Sequence, residues 1–428
     1  MNLRALVPIT RTLAALAVLL LLHCGKPPQP KVEPEAPEPP LPPQGHQFVL
    51  VDNWPLLRDD ADHDAMVRAL DRQAAWLARK PADWTCTVGP HRVERDRLRD
   101  TLLRFRDIWL AHKEQPEALQ NALQAEFDLY QWTYNGTPDI LLTGYFAPVL
   151  DGRHRADTEY RFPLYQRPKD LLTIRVDQFE PRFLQPGSSL RGTAVMARLE
   201  GRNVVPYHDR AAIDGAGKLA GRGLELVYLK DYWHLFSFHV QGGGFVRLEN
   251  DRYVKLNYAG KNGLPYVSVG KLLIEAGHIT RENMSMQALS DYFAANPDEV
   301  ARWCFQNPSY VFYQSDGRTY PDLQPDLFPH GSLGFPVTTK RSLAFDKKYF
   351  GGGMLAFVQG TIERSTADRE PFGRFAIDQD TGGAIRENHV DVFMGAGDEA
   401  LRDAGFLKDK QGHVYFLILK PKISASAE

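Results

Sequence analysis

Apolar residues recur at helical spacing in the first quarter of the chain. Met66, Leu70 and Leu77 share a face between Asp62 and Lys80, and Val93, Leu98, Leu102, Phe105 and Trp109 do so between His91 and Leu110. A third helix is predicted from Glu117 to Tyr130. The polar faces carry ordinary mixed charge, so these helices read as scaffold. Beyond Asp139 the texture changes. ILLTGYFAPVL, YRFPLYQRP, HLFSFHVQGGGFVRLE and RYVKLNYAGKNGLPYVSVG are short β-branched and aromatic runs broken by Gly, Pro and Asn, a pattern that predicts strands of a barrel or sandwich. Helical spacing returns at Val269–Gly277 and Ser285–Phe293, with a short piece at Asp298–Phe305. NPSYVFYQ, FPVTTKRSLAFD and GMLAFVQGTIE then resume strands, and the chain closes with a helix from Asp398 to Ala404 and the strand HVYFLIL. No internal repeat is present. The expected class is mainly β with N-terminal helices.

Within this pattern the stretch Phe375–Gly397, FAIDQDTGGAIRENHVDVFMGAG, places carboxylates among glycines with few competing bases. Asp378 and Asp380 precede the turn signal Thr381, Gly382, Gly383. His389 to Phe393 alternates polar and apolar residues, as a half-buried strand does. If Val390 and Val392 face a core, His389 and Asp391 share the opposite face, and partial desolvation there keeps a proton on Asp391 near neutral pH. Strand propensity disfavours Asp, which makes Asp391 a candidate functional group rather than a filler.

Composition narrows the chemistry. The chain has 428 residues, room for two or three domains, and 43% hydrophobic content supports a packed core. Lys plus Arg (51) nearly balance Asp plus Glu (53), so no global field favours nucleic acid, and an uncharged polymer or small neutral substrate fits better. Aromatics are plentiful, which suits sugar clefts and β-rich cores alike.

The N-terminus changes the picture further. Arg4 and Arg11 flank an apolar run, Leu13 to Leu22, too short to span a bilayer and ordered as a secretory signal. Cys24 follows directly, where a bacterial lipoprotein signal is cut and its new N-terminal Cys lipidated; His23 is unusual before such a site. The next segment, Gly25 to Gly45, contains nine prolines and reads as a stiff tether, reaching roughly 60 Å at about 3.1 Å per residue. Cys86 and Cys304 are either a disulfide in an oxidising compartment or two buried free thiols.

Other constellations carry less. Gly242, Gly243 and Gly244 lack the Lys-Ser or Lys-Thr of a phosphate loop. His208, His234 and His239 lack metal-site spacing and read as structural. No G-x-S-x-G occurs. Tyr258 to Tyr266, YAGKNGLPY, sets Lys261 and Asn262 in a Gly-flanked turn between aromatic residues, offering donors beside stacking faces as a polysaccharide groove requires; a plain surface hairpin is the other reading.

Several separate motifs, in order, resemble the lytic murein transglycosylase A family from about Leu142 to the C-terminus: LTGYFAP, FPLYQRP, VPYHDRAAID, QGGG, YAGKNGLPYVSVG, MSMQAL, QNPSYVFY and DTGGAIRENHVDVFMGAG. The last resembles that family's three-aspartate domain, with Asp346, Asp380 and Asp391 at the matching positions. The resemblance implies a double-psi β-barrel, a β-rich domain inserted at about Pro148 to Phe305, and a glycan groove between them. The implied segments are a signal peptide at 1–23, lipidated Cys24 and tether at 24–45, helices and the start of the barrel at 46–147, the insert at 148–305, and the rest of the barrel at 306–428. It implies cleavage of the β-1,4 bond between N-acetylmuramic acid and N-acetylglucosamine without water, leaving a 1,6-anhydro ring. Asp391 would be acid and then base, Asp380 an orienting partner and Asp346 structural. Implied glycan contacts fall at Tyr145, Gln241, Tyr258, Lys261, Asn262, Ser285 and Gln287. No metal or organic cofactor is implied. The expected partners are peptidoglycan strands, a membrane through the lipid anchor on the periplasmic face, most simply of the outer membrane, and a cell-wall synthesis or recycling complex.

This chain departs from the family pattern at four places. Gly243 and Phe245 replace the Ser and Arg of Gln-Gly-Ser-Gly-Arg, Glu387 stands where Gly is common, and Ala147 where many members have an acid. Two rival readings remain open on the residues: a hydrolase using Asp391 with Asp380 or Asp346 as a second carboxylate, and a non-catalytic glycan-binding lipoprotein.

Overall fold

The computed structural model describes residues 45–88, 91–178, 194–281, 283–365 and 367–421. The expected signal peptide, Cys24 and nearly all of the tether lie outside them.

Six strands close into a barrel. Strand Ile140–Ala147 runs parallel to His389–Ala396 and antiparallel to Lys408–Leu419, which pairs in turn with Leu355–Ser365 and then Asp368–Asp380. The short strand Ser342–Ala344 completes the ring, parallel to Asp368–Asp380 and antiparallel to His389–Ala396. Phe127–Tyr134 and His46–Leu50 extend the sheet from Lys408–Leu419. Alternation drives closure: Val390 and Val392, Phe375 and Ile377, and Val414 and Phe416 all point into one continuous core. Helices His63–Ala78 and Arg95–His112 cover this core with Met66, Leu70 and Leu77, and with Leu98, Leu102, Phe105 and Trp109. Asp62 caps the first helix by accepting from the Asp64 amide.

Residues between the barrel strands build a second lobe around its own apolar core, which includes Trp233, Phe236, Phe238, Trp303 and Tyr313. Its main sheet runs in the order Val311–Gln314, Tyr253–Lys261, Gly244–Arg247, Val149–Arg153, Glu225–Leu229, Phe162–Tyr165. Because Val311–Gln314 pairs with Tyr253–Lys261, this sheet continues past residue 305. A three-stranded sheet of Leu172–Arg175, Ala194–Glu200 and Asn203–Pro206 flanks it.

Three expectations need correction. The helix expected to reach Tyr130 stops at Glu126, and Phe127–Tyr134 is a strand with alternate residues inside. HLFSFHVQ is not a strand but most of the helix Tyr232–Gln241, capped by Asp231 and ended by Gly242 at φ 80°; core contact around most of its circumference hides the helical period. FPVTTKRSLAFD contributes only Ser342–Ala344, because Arg341 before it is fully buried, bonding Asp59 and the carbonyls of Ala61, Asp62 and Phe375. Cys86 and Cys304 are buried free thiols in the two separate cores.

Candidate active site

Asp391 lies mid-strand, in register with Thr143 on the parallel neighbour and Ala344 on the antiparallel one. Val390 and Val392 anchor it by pointing into the core. Protein surrounds the Asp391 carboxyl, although part of it still meets solvent. Thr143 Oγ1 lies 2.8 Å from Asp391 Oδ1 and 2.7 Å from Nε2 of His389, two residues earlier on the same strand face. Among the described residues no cation pairs with Asp391. Burial, opposed by the Thr143 hydroxyl and helped by the charge of Asp380, pushes its carboxyl up to about 7. Burial likewise holds His389 below the usual imidazole range.

Asp380 ends the strand Asp368–Asp380. Its Oδ2 accepts from the Tyr145 hydroxyl at 2.8 Å, and its Oδ1 accepts from the amides of Ser332 and Thr381, each at 2.8 Å. Burial raises this carboxyl too, against those three donors. Two residues back, fully buried Asp378 pairs with Lys347 and is pushed up to about 6 by burial, the lysine opposing. Asp346 is a turn anchor: its carboxylate accepts from the amides of Lys348 at 3.1 Å and Glu387 at 3.2 Å.

The second lobe reaches this cluster through the segment around His330. The His330 amide donates to Asn257 Oδ1 at 3.1 Å, and two residues on, Ser332 holds Asp380. Gln241 accepts from the Phe146 amide at 3.2 Å, beside Tyr145. Tyr258 is 47% exposed and Lys261 exposed, both free to meet a ligand. Asn262 is not: it is fully buried, its amide nitrogen donating to the carbonyls of His208 and Pro308 and its oxygen accepting from Tyr310. It ties the lobe together rather than facing a groove. Ser285 caps the helix Met286–Ala295, accepting from the Ala288 amide, and Gln287 donates to Asp291 on that helix. Gln287 also lines a small cavity with Phe146, Trp233, Met286 and Asp398, where this helix meets Gly397–Phe406. The structure thus gathers Asp391, Asp380 and Tyr145, with Gln241 anchored next to Tyr145, and assigns Ser285 and Asn262 to structure.

The departures have local reasons. A side chain at Gly243 would meet the Leu256 carbonyl at 2.9 Å and Pro329 at 3.2 Å. Phe245, fully buried, sits in one apolar cluster with Ala147, Phe328, Val337 and Phe393, so the position of an Arg and that of an acid have become apolar together. Glu387 adopts φ 54°, the left-handed backbone that favours Gly. Among the described residues no group of His, Cys, Asp and Glu has the arrangement of a metal site.

Sequence reasoning missed Thr143. Its place two residues before Tyr145 in an alternating strand was the available signal. It also missed the buried network in which Arg210 donates to the Asn307 and Ser309 carbonyls and meets His239, while Asp214 accepts from Tyr232 and Tyr310.

Comparison with known proteins agrees with this architecture. Residues 141–314 match the MltA specific insert domain, and residues 341–418 match the 3D domain. A membrane-bound lytic murein transglycosylase A of Vibrio cholerae is 32% identical over 276 residues, covering 63% of this chain and 63% of the relative. The alignment therefore spans somewhat less than two thirds of that relative's length. The crystal structure of a membrane-bound lytic murein transglycosylase from Agrobacterium tumefaciens superposes with a TM-score of 0.68 at 25% identity, covering 88% of this chain and 98% of that one. That of MltA from Neisseria gonorrhoeae, monoclinic form, gives 0.65 at 27%, covering 89% and 95%. With an insert-domain match followed by a 3D-domain match along a barrel of the same fold, this chain belongs to the membrane-bound lytic murein transglycosylase A family.

Proposed function

We propose that this protein is a peptidoglycan lytic transglycosylase in which Asp391 serves as acid and then base. The observation that carries the reading is a deeply set carboxyl, without a cation partner among the described residues, held up to about 7. Such a group is protonated often enough near neutral pH to donate, and basic enough afterwards to take a proton back. The relatives' name, lytic murein transglycosylase, supplies the substrate class.

In this reading the Asp391 proton passes to the glycosidic oxygen as its bond to C1 of N-acetylmuramic acid breaks. The C6 hydroxyl of the same sugar then closes on C1 and returns its proton to Asp391. Atoms balance without water, and the acid is regenerated. Holding the hydroxyl near C1 gives it the effective concentration of an intramolecular nucleophile. A hydrolase would need a second carboxylate free to activate water. Asp380 is poorly suited, since three donors already occupy it, and Asp346 is spent on two backbone amides. Tyr145 and Asp380 orient the site, and exposed Tyr258 and Lys261 contact the glycan. The proposed chemistry needs no metal or organic cofactor.

Lipidation at Cys24 and residence on the periplasmic face of the outer membrane belong to the same proposal. The relatives are named membrane-bound, and among the described residues no helix is long and apolar enough to cross a bilayer. The test is mass spectrometry of muropeptides released from purified peptidoglycan by a soluble protein beginning at Gly45. Products with 1,6-anhydro muramic ends are expected. Reducing ends would assign a hydrolase, and no release by a folded protein would assign a glycan-binding module.

A further inference from the structure

Thr143 has one hydroxyl hydrogen and two short contacts, 2.8 Å to Asp391 Oδ1 and 2.7 Å to His389 Nε2. It can donate in only one of them, so the other must be made with a hydrogen from the neighbour. The remaining ring nitrogen of His389 is committed by a hydrogen bond to the Ala384 backbone, which fixes it as a donor to the carbonyl. Two arrangements then satisfy both contacts. In one, Asp391 is protonated and donates to Thr143, which donates to a neutral imidazole. In the other, Asp391 is ionised and accepts from Thr143, which accepts from an imidazolium. They interconvert when the Asp391 O–H breaks as a new Thr143 O–H forms, and the old Thr143 O–H breaks as the His389 N–H forms. Net charge is unchanged. An ionised Asp391 beside a neutral His389 leaves two lone pairs facing each other across one contact and is the poorly bonded state.

Resting on the reading of Asp391 as the acid, we propose that His389 is a positioning residue that governs the Asp391 proton through the Thr143 hydroxyl. Because His389 is largely buried in a strand whose neighbours Val390 and Leu142 are core residues, its neutral form prevails. The trio then keeps all its hydrogen bonds only while Asp391 carries its proton. His389 thereby holds the acid loaded at neutral pH and draws the proton back after each cleavage.

The other charged groups facing the trio are few. Asp380 and the Tyr145 phenol lie on the Asp391 side. Lys347, behind them, is engaged with Asp378. Lys408, opposite Thr143 in the strand register, sends its ammonium to the carbonyls of Arg281 and Met284 in the second lobe. None of these reaches His389 through a hydrogen bond printed by the geometry, so the link runs through Thr143.

The experiment is a pH profile of kcat/KM for soluble wild type, His389→Leu, Thr143→Val and the double variant, with thermal melts to confirm folding. In His389→Leu the Thr143 hydrogen is free to serve the carboxylate, and the alkaline limb should move about one pH unit lower, roughly tenfold less activity at pH 8 relative to pH 6. In the Thr143→Val background the same replacement should move the limb no further. A limb unmoved by His389→Leu, or moved equally in both backgrounds, overturns the proposal. Undiminished activity of Asp391→Asn would instead overturn the acid assignment itself, so the two failures are separable.

Discussion

The Glu387 amide donates to the Asp346 carboxylate at 3.2 Å while Glu387 itself holds φ 54°. A carboxylate 41 residues upstream therefore fixes the left-handed turn from which the Asp391 strand starts. For an L-residue that backbone costs roughly 1–2 kcal/mol. Glu387→Gly should raise the melting temperature by a few degrees, since glycine removes the strain at some entropic cost. Asp346→Ala, freeing the amides of Lys348 and Glu387, should lower it by more. Calorimetry on the two variants checks both signs.

Asp391 links activity to stability through pH. Its folded carboxyl titrates at about 7 against an ordinary value of 3.8, so the native state binds a proton that the unfolded chain has lost. The resulting stabilisation is fully present below about pH 4 and lost as pH rises through 7. Asp391→Asn should abolish turnover and gain stability relative to wild type at pH 8, the gain vanishing towards pH 4. Urea midpoints at those pH values decide it.

Lys347 partners a fully buried carboxylate, Asp378. Lys347→Met leaves that charge uncompensated, at a cost on the order of 3–5 kcal/mol at pH 8. Asp378 is already pushed up to about 6, and without the lysine it rises further and protonates. The deficit should therefore shrink at pH 5. A deficit independent of pH would show that lost packing, not charge, is responsible.

Phe245→Arg should destabilise the protein by about 3 kcal/mol or more, because a guanidinium replaces a fully buried ring in a cluster with no charged member. Adding Ala147→Glu should recover part of that loss, giving a favourable coupling energy in a double-mutant cycle. Additive losses would mean that the two positions do not communicate.

Period-two alternation made the Asp391 strand legible, since Val390 and Val392 had to face a core for the pattern to make sense, and both are fully buried. The first two helices were legible for the same reason at period 3.6, although His91–Glu94 before the second is a strand. Where both sides of an element are buried, the pattern disappears: the aromatic run Tyr232–Phe238 gave no period to separate helix from strand. Asn262 was misplaced because a Gly-flanked turn looks alike whether its amide points to solvent or inward. Thr143 was missed because its meaning comes from a strand pairing 248 residues away, which no local pattern encodes. The glycine departures were visible, but their steric reasons at Gly243 and Glu387 needed the fold.

The barrel closes only when Ile140–Ala147 finds both His389–Ala396 and Lys408–Leu419. During synthesis the Thr143 strand must therefore wait, its two neighbours still unmade, until nearly the whole chain has emerged. The second lobe, assembled from intervening residues, is free to fold meanwhile around its own core. No truncated product ending before about residue 408 can place Thr143 in a closed ring, so cutting power is withheld from every unfinished chain. Completion of translation itself acts as the safety on this enzyme.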